Sequence, residues 1–465
     1  MIADPGDRSA IRWFAGAIAI VLVLRVWMMF VFPLTDQTEA RYGELARVTA
    51  EGGYWLMPHM TPNEPFFAKP PLSTWMSSAC WIIFGRTELA LRLPSLIMAL
   101  VTAGFSLLSA RDMKVGPLGL WTAAASLISA PMYVICAGTV MTDSCHAACV
   151  MAAMFFAWRS LQNPEACRWR MCFWCVLGVA TLAKGLATVA LIIMPIAAYS
   201  VIAFMPLVVV RRLWDPAGCI LAVAITLAWY VSAERSYPGF LNYFLIGEHF
   251  QRFLKGGWKG DRYGQPHQTA FGMIWLYWCV AIGQWIPIFI HQMYRTGKNS
   301  VQGRVSPEDC WIWCWILVPL LFFSVSRNII ITYTLTAIPP FAVLAARWGE
   351  HHTGWMRAAA PKCVFAFAVV VTVVGVMWLP EELEHLSARS LIAEARQKNS
   401  SGEIAVCGCY PFSASFYSRA GVRYVTEEDL IRNGRAVSSK FVIVSTELAK
   451  QFTTKMKGQK LASTK

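Results

Sequence analysis

The sequence predicts an all-α polytopic membrane protein with a small α/β domain at its C-terminal end. Three observations predict it. The 465 residues are 56% hydrophobic and 15% charged, with a mean hydropathy of +0.46, whereas soluble domains carry about 25% charged residues. Several apolar runs between Ile11 and Leu379 approach the roughly 20 residues that a helix needs to cross the hydrocarbon core. Beyond about Glu381 the pattern changes to short segments that alternate in strand-like and helix-like fashion.

The first run, Ile11 to Phe32, contains Arg25 and lacks a small-residue cleavage site, so it reads as a retained span and not as a signal peptide. Further apolar runs follow at about 93–110, 115–138, 141–158, 171–183, 186–210, 217–233, 270–290, 310–325, 330–346 and 361–379, which makes about eleven spans within a range of 11–13. Alternate connections are short and basic: Arg111 to Lys114, Arg159 to Arg170, Arg211 with Arg212, Arg295 to Arg304, and Arg347 to Lys362. The positive-inside rule places these in the cytoplasm. The opposite side then receives loops 33–92 and 234–269, the turns at Thr142-Asp143, Lys184-Gly185 and Ser326 to Asn328, and the C-terminus. The chain divides into a membrane domain, 1–380, and a soluble domain, 381–465, whose strand-like "EIAVCGCY" and "KFVIVS" accompany helix-like "LEHLSARSLIAEARQK" and "TEEDLIRNG".

The formal net charge of +14 is scattered in short clusters between apolar runs. That pattern suits orientation and anionic headgroups and not nucleic acid. The 21 Trp fit interfacial belts. Most of the 14 Cys sit inside apolar segments as small hydrophobes, and the Cys407 and Cys409 pair has no assigned role. No internal repeat and no phosphate-cradling Gly-rich fingerprint is present.

Chemistry concentrates on the non-cytoplasmic side. In "LTDQTEARYGELARVTAEGGYW", Asp36 and Glu39 form a D-x-x-E capping box for a helix running to about Glu51. Tyr42, Leu45, Ala46 and Thr49 share one face of that helix and Arg41, Glu44 and Arg47 another, the build of a helix lying on a membrane surface. In "PNEPFFAKPPLSTW" the prolines after Lys69 stiffen an extended arm, which holds its ammonium for a ligand or lets it snorkel to lipid phosphate. Asp143 and Lys184 lie at the mouths of other spans, where charge usually lines a polar cavity. In loop 234–269, Glu248 and Arg252 can pair at i,i+4, and His249, His267 and Glu248 are the candidates for a divalent metal, at a spacing that matches no zinc signature. Arg327 and Tyr333 of "SRNIIITYTL" fall near the same surface.

The stretches "TDQTEARYGELA", "FFAKPPLSTW", "FGRTELALRLPS", "MTD", "AKG", "GEHFQRFL" and "NIIITYTLTAIPP" resemble, in this order, the motifs of the bacterial lipid A aminoarabinose (4-amino-4-deoxy-L-arabinose) transferase family. These are GT-C type glycosyltransferases related to the protein O-mannosyltransferases. The resemblance covers nearly the whole membrane part, and "SASFYS" extends it weakly into the tail. It implies a multi-pass transferase of the bacterial inner membrane, acting at the periplasmic face, with a polyprenyl-phosphate sugar donor, a lipid A, glycan or protein acceptor, and an acidic base in the first loop. Two departures stand out. Where the family's D-E-T-R-Y has its aspartate, this chain has Thr38, and where the family has a glutamate associated with a bound metal, this chain has Ala68.

Residue chemistry agrees with such a transfer. A phosphate-linked sugar needs charge neutralisation of its leaving group, which Lys69 and Arg41 can supply, and a carboxylate must take the acceptor proton. The expected catalytic acids are Asp36, with Glu39 and Asp143 in reserve. The expected donor-phosphate set is Lys69, Arg41, Tyr42, Lys184, Arg252 and Tyr333. A lipid or sugar transporter (flippase) is the alternative, and it favours repeats and midplane charges.

Overall fold

In lipid an apolar run satisfies its backbone only by coiling, and helices dominate the computed structural model, which describes residues 5–263, 267–351, 355–398, 404–428, 441–445 and 448. The first half contains α1 (Pro5–Val31), α2 (Thr38–Gly52), a small hairpin of β1 (His59–Thr61) and β2 (Glu64–Pro65), α3 (Leu72–Ile83), α4 (Glu88–Asp112), α5 (Pro117–Ile128), α6 (Pro131–Cys136), α7 (Asp143–Gln162), α8 (Cys167–Lys184) and α9 (Leu186–Ile202). After α10 (Pro206–Leu213) and α11 (Pro216–Ser236) comes a π-helical segment, Asn242–Gln251, which runs into α12 (Arg252–Leu254). The remainder has α13 (Met273–Ile282), α14 (Ile286–Val301), α15 (Pro307–Ser324), a 3-10 helix Ile331–Ala337, α16 (Ile338–His351), α17 (Trp355–Met377), α18 (Leu379–Glu384), α19 (Arg389–Lys398), β3 (Ile404–Cys407), α20 (Ser413–Ser418), β4 (Val422–Tyr424) and β5 (Phe441–Val444).

Among the described residues five segments are long and apolar enough to cross a membrane: Gly6–Val31, Glu88–Asp112, Pro216–Ser236, Met273–Val301 and Ala358–Met377. Several of the other expected spans are interrupted. The run 115–138 breaks between α5 and α6, and 186–210 ends at Ile202 before Pro206 starts a new helix. The run 330–346 opens as a 3-10 turn ahead of Pro339 and Pro340. Proline lacks the N–H of the helical ladder and clashes with the preceding turn, so an apolar run that hydropathy reads as continuous becomes two helices.

α7 is the hub. Its side chains are buried from Asp143 to Phe155 and again at Ala157, Trp158, Ser160 and Leu161, as expected for a helix surrounded by others. It packs between α8 and α4 and touches the 3-10 helix. Arg25, embedded in α1, donates through one terminal nitrogen to the Ile135 carbonyl at 3.0 Å and Thr139 Oγ1 at 3.1 Å. A charge inside a span is thereby held against protein and not lipid.

Two expectations about the first loop are corrected. α2 starts at Thr38 with Gln37 as N-cap and no side-chain cap bond, so Asp36 and Glu39 form no capping box. Nor does α2 lie on a membrane surface with an open polar face: Glu44 and Arg47 are as buried as Leu45 and Ala46. Glu39 instead pairs with Arg92 of α4 at 2.8 and 3.0 Å. Arg92 also donates to the carbonyls of Met29, Phe32 and Pro33 at 2.8–2.9 Å, and Glu39 accepts from Val140 N at 3.2 Å. This cluster binds the end of α1, the start of α2, the first turns of α4 and the approach to α7.

The tail forms a parallel sheet of order β4-β3-β5, with Ile404 opposite both Val422 and Phe441. Its central strand β3 is buried throughout, as a parallel strand covered on both faces must be. The helix-like stretch from Leu383 splits into α18 and α19, while most of "TEEDLIRNG" lies outside the described residues.

Replacing Arg92 by Ala would leave Glu39 charged, buried and unpaired, so we expect a loss of about 3–5 kcal/mol in stability. Thermal unfolding of the detergent-purified protein checks this, and an unchanged midpoint would reduce the cluster to a bystander.

Candidate active site

Lys69 is placed by its neighbours in sequence and in space. Pro70 and Pro71 follow it, and Pro71 is the N-cap of α3, so the backbone at Lys69 is biased to an extended form. Tyr263 braces the arm from outside: its hydroxyl donates to the Pro65 carbonyl at 2.7 Å and accepts from Phe67 N at 3.2 Å. Arg41 donates in turn to the Tyr263 carbonyl at 2.5 Å. Lys69 Nζ then lies 2.7 Å from Glu248 Oε2.

Glu248 sits on the π-helical segment Asn242–Gln251, a helix type that is rare and enriched at functional positions. It also accepts from Arg252 at 2.9 and 3.2 Å and from the Tyr243 hydroxyl at 3.2 Å. Burial pushes its carboxyl up, but Lys69 and Arg252 pull it further down, below the usual carboxylate range. Asp143 is the first residue of α7 and Lys184 the last of α8, and their charged atoms are 2.7 Å apart. A carboxylate at a helix start and an ammonium at a helix end each suit the macrodipole. The next residue, Gly185, has φ +68°, and a Cβ there would meet Phe244 at 2.6 Å and His249 Nε2 at 2.9 Å. Only glycine lets the chain turn here beside the π-helical segment.

These groups face one cavity of about 450 Å³. Lys69, Asp143, Lys184, Glu248, His249, Arg252 and Tyr333 line it together with His146, Asn328, Thr332 and Thr336. Leu186, Ala190, Phe250, Leu254 and Phe322 supply an apolar wall. Three cations face two carboxylates, and Lys184 Nζ also stands 5.0 Å over the Tyr333 ring. A headgroup bearing negative charge and joined to an apolar chain matches both parts of the lining.

The structure corrects several sequence expectations. Asp36 is not at the cavity: Oδ1 accepts from Phe412 N at 2.9 Å, and Oδ2 accepts from Ser413 N at 3.1 Å and from the Ser413 hydroxyl. Burial raises its carboxyl above the ordinary value against these donors. Glu39 is committed to Arg92. Arg41 and Tyr42 stand behind the lining, Arg41 between the rings of Tyr42 and Phe412 and Tyr42 edge-on to Phe66. Arg327 is also outside it, with its guanidinium over Phe271.

The candidate metal ligands do not assemble. Glu248 is occupied by Lys69, Arg252 and Tyr243, His249 Nδ1 lies 2.8 Å from the Phe244 carbonyl, and His267 is exposed. No group of three His, Cys, Asp or Glu comes together among the described residues. A divalent cation does not fit this donor set.

His146, Thr332 and Thr336 escaped the sequence reading, which placed Asn328 in a turn on the reactive side without giving it a role. His146 follows Asp143 by three residues, one helical turn. That spacing was the available clue.

Over residues 68–232 the chain matches the family described as dolichyl-phosphate-mannose-protein mannosyltransferase. It is 29% identical over 351 residues to undecaprenyl phosphate-alpha-4-amino-4-deoxy-L-arabinose arabinosyl transferase 2 of Proteus mirabilis, covering 71% of this chain and 59% of that protein. The corresponding transferase 1 of Sodalis glossinidius is 28% identical over 399 residues, 78% of this chain and 65% of that one. The chain thus spans about three fifths of the length of these relatives. ArnT from Cupriavidus metallidurans in complex with undecaprenyl phosphate superposes with a TM-score of 0.73 at 20% identity, over 95% of this chain and 90% of that one. Its apo form gives 0.72 at 21% identity, over 96% and 91%. The fold is shared along almost the whole chain.

Because the folded-state carboxyl of Glu248 is depressed, the stability its ion pairs contribute is complete above the unfolded value of about 4.3 and is lost as pH falls through the folded value. Melting curves of wild type from pH 7 down to pH 3 should carry this acid-side loss. Glu248→Gln should lack that component, and superimposable pH profiles would show that the pairing contributes nothing.

Proposed function

We propose that this chain, a member of the aminoarabinose-transferase-like GT-C family, is an integral-membrane glycosyltransferase that moves a sugar from a polyprenyl-phosphate donor to lipid A. One observation carries the reading: a single cavity joins the cations Lys69, Lys184 and Arg252 to an apolar wall, which is the complement of a lipid phosphate. By likeness to the named arabinosyl transferases, the donor is undecaprenyl phosphate carrying an amino sugar. In this reading the chain is a multi-pass protein of the bacterial inner membrane, crosses it about eleven times, opens the cavity to the periplasm, and carries residues from about 381 as a periplasmic α/β domain.

In the reaction the acceptor oxygen attacks the anomeric carbon of the donor and forms the new C–O bond. The bond from that carbon to the phosphate oxygen breaks, and its electron pair leaves with the lipid phosphate. Lys69, Lys184 and Arg252 neutralise the charge that develops there, worth most where water is excluded. Asp143 receives the acceptor proton. It takes this role in place of Asp36 and Glu39 because it lines the cavity and they do not. Lys184 holds Asp143 at 2.7 Å. A donor phosphate competes for Lys184 and so returns basicity to Asp143. Tyr333 backs Lys184, and Arg41 and Tyr42 hold the Lys69 arm from behind. The transporter reading is not favoured by the site, where each carboxylate and cation belongs to one paired set.

Turnover of purified, folded variants on an undecaprenyl-phosphate sugar tests the assignment. Asp143→Asn should lose roughly 100-fold or more, the range for removal of a positioned general base. Lys69→Ala should lose donor binding, and Lys69→Arg should rescue it poorly because a planar fork does not replace a compact ammonium. Asp36→Asn should stay near wild type. Collapse of Asp36→Asn with normal turnover in Asp143→Asn would return the role to the first loop.

A further inference from the structure

We infer that His146, Asn328 and Thr336 form a subsite that recognises the hydroxyl groups of the donor's sugar. The inference rests on the glycosyltransferase reading above and adds to it the residues that tell the sugar from its carrier. Each side chain is almost wholly buried, at 4%, 4% and 5% exposure, and each lines the cavity. Both ring nitrogens of His146, Asn328 Nδ2 and Thr336 Oγ1 lack any hydrogen-bond partner. Buried polar side chains are nearly always partnered, so several orphans lining one cavity point to a ligand that supplies the missing bonds.

The chemistry of the set identifies that ligand. A neutral imidazole offers one donor and one acceptor, a threonine hydroxyl does both, and an asparagine Nδ2 offers two donors. A sugar hydroxyl also donates and accepts, so it can satisfy all three. An apolar carrier chain can satisfy none. A phosphate has acceptors only, and the neighbouring Lys69, Lys184 and Arg252 already serve it.

Position agrees. His146 lies one turn along α7 from Asp143, and Asn328 and Thr336 come from the segments before and within the 3-10 helix that packs on α7. The sugar ring is thereby held beside the carboxylate at which its anomeric carbon reacts. The loop residues Lys69 and Arg252 are left to the phosphate.

The test compares two probes on the full-length purified chain: bare undecaprenyl phosphate, and the best-used member of a panel of undecaprenyl-phosphate pentoses and hexoses. His146→Phe and Thr336→Val should raise the donor KM by about tenfold each, the loss of a single neutral hydrogen bond. They should leave the Kd for bare undecaprenyl phosphate and the acceptor KM unchanged. His146→Gln, which keeps a donor and an acceptor, should recover most of the affinity, as a misfolded or repacked site would not. Lys69→Ala should show the other pattern and weaken both probes. Equal weakening of the bare lipid phosphate in His146→Phe, a shift in acceptor KM instead of donor KM, or no shift at all would overturn the subsite while leaving the transferase reading intact. A wild-type chain that turns over no member of the panel would overturn the transferase reading and the subsite together.

Discussion

The buried Glu39–Arg92 pair is the interaction on which the geometry of the site depends. Its side chains are 8% and 3% exposed, so neither charge has recourse to water, and each must be satisfied by protein. Arg92 meets this by donating to Glu39 and to three carbonyls at the end of α1. Glu39 meets it with Arg92 and the Val140 amide. The two residues therefore fix where the first membrane helix stops, where α2 begins and where the chain re-enters as α7. Asp143 is three residues beyond Val140, and its place at the cavity follows from that anchor. An ion pair of this kind adds little net stability against an apolar replacement, so its value here is in specifying one arrangement of α1, α2, α4 and α7.

The tail belongs to the same frame. Asp36 receives Phe412 and Ser413, Glu44 receives the Ser415 hydroxyl at 3.1 Å, and Tyr417 accepts from Leu34 N at 2.7 Å and donates to Glu88 at 3.2 Å. Phe416 packs edge-on to Trp81 of α3, and Arg389 donates to the Val31 carbonyl at 3.0 Å. One short stretch, "SASFYS", thus closes over α2 and the ends of α1 and α4. It also covers Glu44, which in turn pairs with Arg47 at 2.7 Å on the same helix.

At the cavity the logic is compensation. Lys69 and Arg252 share Glu248, and Lys184 shares Asp143. Charges at the mouth of apolar helices are costly alone, and the pairing offsets that cost. Arg252 also reaches Asp261, at 3.4 Å, so each of the three cations has a carboxylate beside it. A phosphate entering such a site replaces ion pairs with ion pairs and loses little to desolvation.

The sequence by itself determined the helical, membrane-crossing class, because hydropathy acts on each segment alone, and it determined the paired charges that lie at segment ends. Lys69, Asp143, Lys184, Glu248, Arg252 and Tyr333 were legible because a charge or phenol at the edge of an apolar run stands out from its neighbours. Of their partners only the local i,i+4 pair of Glu248 and Arg252 was legible; the distant ones were not. Asp36 looked like the cap of the next helix and is instead held by Ser413, nearly four hundred residues later. Glu39 looked like its capping-box mate and belongs to Arg92. His146 was hidden inside an apolar helix, where composition alone cannot say that its ring has no partner. The tertiary structure decided these matters because the cost of burying a polar group depends on what faces it, and what faces it is set by chain segments that are distant in sequence.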